Sequence, residues 1–287
     1  MWVLRILARD DPELRQFSES ISRHTRQSEV LGMDYWVFVE GSDAVGVVSV
    51  GKEPIQLIEP PGTPVAILSV VDPEKPSRTI REFAEGALAK SRENSVDYAL
   101  AIINHRHSEP IKLFKEFGFY ELDDAYRMFC SLEGNFEPSE ILQYIRLERC
   151  DMRRFIELAA EFLRGSADVM LGMALENFLK VSDEFLDFYY AAEEFYFADS
   201  NGDTVGIINL NPKEGLISNI GVDPGKRGRG YGTQIMLFGL KALKDRGCEK
   251  ARLRVHVDNT PAVRLYEKLG FEKTDRYLTL IWREREE

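Results

Sequence analysis

Ile220-Gly221-Val222-Asp223-Pro224-Gly225-Lys226-Arg227-Gly228-Arg229-Gly230-Tyr231-Gly232 joins an apolar stretch, 216–222, to an amphipathic one, about 230–246. The first has the composition of a buried strand and the second the apolar spacing of a helix, so the glycines mark a strand-to-helix turn. Glycine there lets the main chain approach an anion closely. The unpaired N–H groups of the helix's first turn, at the positive end of its dipole, point at that anion. Lys226, Arg227 and Arg229 add charge, and a phosphate-bearing ligand is the natural occupant. No Gly-Lys-Ser or Gly-Lys-Thr follows, which disfavours a Walker-type loop, and the glycine spacing disfavours a dinucleotide fingerprint. The plain alternative is an exposed basic turn that only starts a helix.

Outward from the loop, the pattern predicts a strand at 251–257, a helix at 261–269 and a last strand near 277–282. Upstream it predicts helices at 151–164 and 171–188, then a hairpin of 194–198 with 205–210. Strand, helices, hairpin, strand, helix, strand, helix, strand is the order of a mixed α/β sheet. The chain also repeats itself. Val263-Arg264-Leu265-Tyr266-Glu267-Lys268-Leu269-Gly270-Phe271 answers Ile111-Lys112-Leu113-Phe114-Lys115-Glu116-Phe117-Gly118-Phe119, and Val222-Asp223-Pro224 answers Val71-Asp72-Pro73. A hairpin of 35–40 with 45–50 matches the later one. Two tandem copies of one fold follow, divided where Gly, Asn, Pro and Ser interrupt the apolar pattern, as 1–137 and 138–287.

Composition narrows the function. With 287 residues, 44% hydrophobic and 30% charged, the chain reads as two globular domains. A net charge of −11, carried mainly by the first half, argues against nucleic acid or an anionic membrane as the main partner. No apolar run reaches the ~18 to 20 residues needed to span a bilayer. Met1-Trp2-Val3-Leu4-Arg5 lacks the features of a secretory leader, so a cytoplasmic location is expected. Cys130, Cys150 and Cys248 are widely spaced and indicate neither a disulfide framework nor a metal site.

These residues resemble the GNAT superfamily of N-acetyltransferases, of a tandem-domain type. The family's pyrophosphate loop, Gln/Arg-x-x-Gly-x-Gly/Ala after a strand ending Val-x-Pro, is matched by Arg227, Gly230, Gly232 and Val222-Asp223-Pro224. Its later Asn-x-x-Ala, Leu-Tyr and Gly-Phe are matched by Asn259, Ala262, Leu265, Tyr266, Gly270 and Phe271. The resemblance is strong over 216–271 and weaker over the rest. It implies that 138–287 uses acetyl-CoA as co-substrate, with no metal, to acylate a primary amine on a small molecule or peptide. It further implies that the strand before the loop and the strand after it part to admit the pantetheine arm. Ile220 and Val222 would pair with that arm, one of their amides would polarise the thioester carbonyl, and Gly221 between them belongs to the same coenzyme site. Arg227, Gly228, Arg229, Gly230, Tyr231 and Gly232 would hold the pyrophosphate, and Asn259 the far side of the arm.

By the same resemblance Tyr266 is the general acid that protonates the departing thiolate. The bland reading is a packing tyrosine, and for Asn259 a helix cap ahead of Pro261. The family's strand carboxylate is replaced by Ser218 and Asn219, which leaves Glu193, Glu194 or Asp223 as candidate bases through water. His256 reads as structural. The aromatic and acidic segment 185–197 lies where relatives build the acceptor site, although a packed helix face explains its aromatics too. The first copy has Pro73-Glu74-Lys75-Pro76-Ser77-Arg78-Thr79 for the loop, Phe114 for Tyr266 and His107 for Asn259, which predicts a silent domain. A non-catalytic acyl-coenzyme A sensor or interaction protein is the competing reading. The expected assembly is a monomer or homodimer.

Overall fold

The computed structural model describes residues 4–284, apart from 31, 54–57, 61 and 180. Met1-Trp2-Val3, on which the leader expectation partly rests, lies outside the described residues. The chain forms two compact units. The first holds 1–55, 59–124 and 276–287, and the second holds 56–58 and 125–275.

The elements run β1 (Arg5–Ala8), α1 (Ser18–Val30), β2 (Asp34–Glu40), β3 (Asp43–Lys52), β4 (Pro64–Val70), α2 (Ser77–Glu93), β5 (Tyr98–Asn104), α3 (Ser108–Glu116) and β6 (Tyr120–Ser131). They continue with β7 (Gln143–Arg146), α4 (Met152–Phe162), α5 (Val169–Phe178), α6 (Asp183–Ala192), β8 (Glu194–Ser200), β9 (Asp203–Asn211) and β10 (Leu216–Val222). Last come α7 (Tyr231–Asp245), β11 (Lys250–His256), α8 (Thr260–Lys268) and β12 (Glu272–Arg283).

In unit 1 the strands lie in the order β1-β2-β3-β4-β5-β12, with β4 and β5 parallel and the other ladders antiparallel. Its largest core joins Phe38, Phe83, Phe114 and Phe119, whose rings meet edge to face. In unit 2 the order is β6-β11-β10-β9-β8-β7, with β10 and β11 parallel. Helix α7 covers one face through Ile235, Met236 and Leu240 against Ile208, Leu210 and Ile217. The other face carries α4, whose Phe155, Ile156 and Phe162 share a core with Phe195, Phe197 and Ile207.

Each unit takes one strand from the other half of the sequence. From Tyr277 onward β12 pairs antiparallel with β5, and from Ala125 onward β6 pairs antiparallel with β11. Leu278, Leu280 and Trp282 are therefore buried in the unit 1 core, while Met128 and Cys130 are buried in that of unit 2. The compact units thus depart from a single cut at 137/138. Alternation of buried and exposed residues marks each segment as a strand, but no local pattern names the neighbour it joins.

The repeat noticed in sequence is a repeat of structure. Gly118 and Gly270 both sit at φ 89° at the ends of α3 and α8, where a side chain would be strained. The main-chain N–H of Phe119 returns to Phe114 and that of Phe271 to Tyr266, at 3.2 and 3.0 Å. The single helix expected at 171–188 is instead two, α5 and α6. The carboxylate of Asp168 accepts the Leu171 N–H at 2.8 Å, and the hydroxyl of Ser182 accepts that of Phe185 at 3.3 Å, so each helix has its own start.

Candidate active site

Strand β10 is fully laddered to β9 on one edge, with a bulge at Ser218, but on its other edge only Leu216 stands in register with Arg252 of β11. The Arg252 N–H reaches the Gly215 carbonyl at 2.8 Å, and beyond that point the two parallel strands part. Main-chain groups of β10 that would have paired with β11 are left to another partner, the condition for an extended ligand to add itself as a strand. Above the opening is a cavity of about 520 Å³.

The loop at its upper end leaves main-chain donors at a helix start. Pro224 opens a short 3₁₀ turn that Asp223 caps by accepting the Gly225 N–H at 2.8 Å. Gly228 and Gly230 then take φ of 78° and 85°, the left-handed region where a Cβ is disfavoured. Gly230 is the N-cap of α7 and offers no side chain, so no cap competes for the N–H groups of that helix's first turn. Of the three loop cations, Lys226 pairs with Asp203 at 3.1 Å. Arg227 donates to the Phe162 and Val222 carbonyls at 2.6 and 3.3 Å, so its guanidinium ties the end of α4 to the end of β10. Arg229 is exposed and makes no ion pair among the described residues.

Ile220, Gly221, Val222, Arg227, Gly228, Tyr231, Gly232, Asn259 and Tyr266 all line the cavity; Arg229 and Gly230 stand outside its lining. The opposite wall is 162–167, between α4 and α5, which the sequence reading did not single out. Its signal was present in Gly165, at φ 75°, which breaks the chain away from α4 towards the cavity. Asn259 caps α8, accepting the Ala262 N–H through its side chain at 3.3 Å, and faces the cavity as well.

Tyr266 is only 7% exposed, on α8 beside Phe271. Its hydroxyl makes no hydrogen bond among the described residues. Burial pushes its pKa up to about 12, because the phenolate would lose its hydration. The phenol therefore stays protonated across the neutral range. Burial would raise the basicity of a thiolate in the same cavity too, which narrows the gap between donor and acceptor.

Beside the bulge lies a polar cluster. Ser218 donates to Glu193 Oε1 at 2.7 Å, and Asn209 donates to Glu193 Oε2. The Tyr189 hydroxyl accepts from Asn209 and Asn219 at 3.0 and 3.4 Å. Burial, helped by the charge of Glu214, raises the Glu193 pKa above the usual carboxylate range, against the lowering effect of the Ser218 and Asn209 bonds. The other carboxylates considered from sequence are engaged elsewhere. Glu194 pairs with Arg246 at 2.7 Å and accepts the Tyr196 hydroxyl, and Asp223 holds its turn. His256 is buried and its Nδ1 accepts the Asp258 N–H at 3.2 Å. In segment 185–197 Leu186, Phe195, Tyr196 and Phe197 are buried in cores, while Phe188 is 60% exposed.

The corresponding positions of unit 1 differ. Its β4 and β5 stay paired from Val65 with Tyr98 to Leu68 with Ala101. Lys75 turns back to Asp43 and Glu40 at 2.6 and 3.4 Å. His107 lies 2.8 Å from Glu74, and Phe114 is fully buried.

Residues 167–271 match the Acetyltransferase (GNAT) family. The matched stretch lies within unit 2. Over 99 residues it is 35% identical to a mycothiol acetyltransferase of Saccharomonospora viridis, a match covering 30% of this chain and 32% of that protein. It is 48% identical over 59 residues to one of Thermobispora bispora, covering 21% and 20%. The chain thus spans about a third or less of the length of the curated relatives it matches. Two solved structures resemble it over nearly its whole length. A GCN5-related N-acetyltransferase from Sphaerobacter thermophilus gives a TM-score of 0.64 at 17% identity, covering 98% of this chain and 96% of that one. A tandem GNAT protein from the clavulanic acid biosynthesis pathway gives 0.63 at 16%, covering 99% and 100%. The fold is mixed α/β with two tandem GNAT-like domains. No described helix is long and apolar enough to cross a membrane.

Proposed function

We propose that unit 2 is an acetyl-CoA-dependent N-acetyltransferase that acylates a primary amine of a small molecule or peptide by direct attack in a ternary complex. The observation that carries this reading is the parting of β10 from β11 directly below an uncapped, glycine-rich helix start, with one buried phenol in the same cavity. A diphosphate suits the N–H groups of Gly228 to Gly232, and an arm with alternating amides suits the free edge of β10. The Ile220 or Val222 amide would meet the oxygen that becomes negative as the amine attacks. Tyr266 then gives its proton to the sulfur as the carbon–sulfur bond breaks. Arg227 contributes by fixing the loop to α4 through its two carbonyl contacts.

Unit 1, with β4 and β5 paired, prolines and a glutamate at the loop position and Phe114 where unit 2 has Tyr266, is proposed to be silent. The division at 137/138 stands as a proposal about ancestry, each half of the sequence being one copy. A monomer or homodimer in the cytoplasm, without nucleic-acid or membrane partners, completes the reading.

Thiol release from acetyl-CoA, measured against a panel of primary amines, tests it. Turnover with at least one amine, and a loss of turnover in Tyr266→Phe without loss of coenzyme affinity, is the expected result. Tight binding without turnover on any amine, together with no effect of Tyr266→Phe, would point instead to an acyl-coenzyme A sensor.

A further inference from the structure

Acyl transfer leaves one proton to be disposed of, and the carboxylate that lines the cavity holding Tyr266, Asp258, has its side chain 80% exposed to water rather than turned into the cleft. Ser218 and Asn219 stand between Leu216, where β10 and β11 part, and Ile220, the first β10 residue to line the cavity. Both are tied to a carboxylate cluster on the α6 side of the sheet: Ser218 to Glu193, and Asn219 through Tyr189 and Asn209 to the same carboxylate. Glu193 also lines a second opening of about 280 Å³, formed by the end of α6, the start of β8 and the β9–β10 turn. One carboxylate therefore touches the strand that edges the cleft and a separate route to solvent.

We propose that Ser218 and Glu193 form a proton exit for the reaction: the Ser218 hydroxyl accepts a proton from the incoming amine, passes its own to Glu193, and Glu193 releases it through the second opening. The inference rests on the acyl-transfer reading above. The steps balance. An ammonium gives one proton to Ser218 as the Ser218 proton moves to Glu193. The neutral amine attacks the thioester carbon, the C–N bond forms and the C–S bond breaks. The sulfur takes the Tyr266 proton, and the second proton lost by nitrogen restores the phenol. One proton leaves by Glu193 for each thiol formed.

The position fits this work in two ways. Glu193 comes from the α6–β8 junction and occupies the role left open by Ser218 and Asn219 on β10. Its surroundings also tune it: Tyr189 from α6, Asn209 from β9 and Ser218 from β10 face it directly, Glu214 acts from the β9–β10 turn, and Arg146, Glu194 and Lys213 share the second opening. Burial favours its protonated form, so the carboxylate can hold a proton in transit rather than remain a fixed charge. Ser218 is the group that would touch the amine, and Glu193 is a positioning and relay residue behind it.

The test compares the full-length wild type with Glu193→Gln and Ser218→Ala in steady-state thiol release from acetyl-CoA, with coenzyme A affinity by calorimetry. Glutamine can still accept the Ser218 hydroxyl through its amide oxygen but loses the proton-accepting charge, and its NH2 cannot accept from Asn209. The expected loss in kcat/KM is about 100-fold or more for Glu193→Gln, the range of general acid–base catalysis, with coenzyme A affinity unchanged. The acidic limb of the pH–rate profile should vanish with it, which a merely structural role would not produce. A carbon-13 carboxyl titration of the wild type should assign that limb to Glu193. Should Glu193→Gln no longer bind coenzyme A, Ser218→Ala decides, since it breaks the relay and leaves the carboxylate in place. An active wild type matched within about 3-fold by both variants, with the acidic limb intact, overturns the relay alone. A wild type that releases no thiol with any amine overturns the acyl-transfer reading, and the relay with it.

Discussion

Replacing Gly230 by alanine isolates what the loop conformation contributes. Gly230 sits at φ 85°, and a Cβ built there meets nothing within 4 Å, so the substitution carries a conformational penalty and no steric one. Holding an L-residue in that region costs about 1–2 kcal/mol. The penalty must appear somewhere between the unfolded chain and the coenzyme-bound state. If the loop keeps its shape without ligand, unfolding becomes easier by that amount and affinity is preserved. If the loop relaxes, stability is preserved and coenzyme A binds more weakly, by about 5- to 30-fold for the same 1–2 kcal/mol. Denaturant unfolding and calorimetric titration of coenzyme A on one preparation give both quantities, and their sum should come to about 1–2 kcal/mol. A sum near zero would refute the reasoning, since the left-handed glycine would then be dispensable in the complex.

Tyr266→Phe should lower kcat by about 100-fold with little change in coenzyme affinity, in stopped-time thiol assays. Because burial moves the Tyr266 pKa up to about 12, loss of its proton should not limit the rate below pH 10; the donor form is lost only as pH rises further, and an alkaline limb near 8 assigned to this phenol would contradict that. Arg227→Met should remove two donations to main-chain carbonyls and destabilise unit 2 by about 1–3 kcal/mol in thermal or denaturant unfolding. Phe114→Tyr should not restore thiol release to Tyr266→Phe, and it should cost about 1–3 kcal/mol by placing a hydroxyl in a fully buried aromatic core.

The glycine run between 222 and 232 made the strand-to-helix turn with its uncapped helix start legible, because the left-handed conformation at Gly228 and Gly230 selects glycine. The block ending at Gly270-Phe271 and its echo at Gly118-Phe119 announced two copies of a mixed α/β fold, since a helix stop at positive φ selects glycine wherever it recurs. The difference of the first copy was legible for the same reason: two prolines and a glutamate stand where the second copy has its glycines, and Phe114 stands where it has Tyr266. The division into α5 and α6 was missed because the apolar pattern continues from one to the other while Ser182 caps a new helix.

Tertiary structure alone decided the rest. Which unit receives β6 and which receives β12 depends on edge complementarity between whole sheets, and an alternating strand fits either. The parting of β10 from β11, against the continuous pairing of β4 with β5, is a matter of register between segments far apart in sequence. Glu193 is proposed over Glu194 and Asp223 because groups from α6, β9 and β10 converge around its carboxylate. Burial and partners set its chemistry, and neither is a property of the residue's neighbours along the chain.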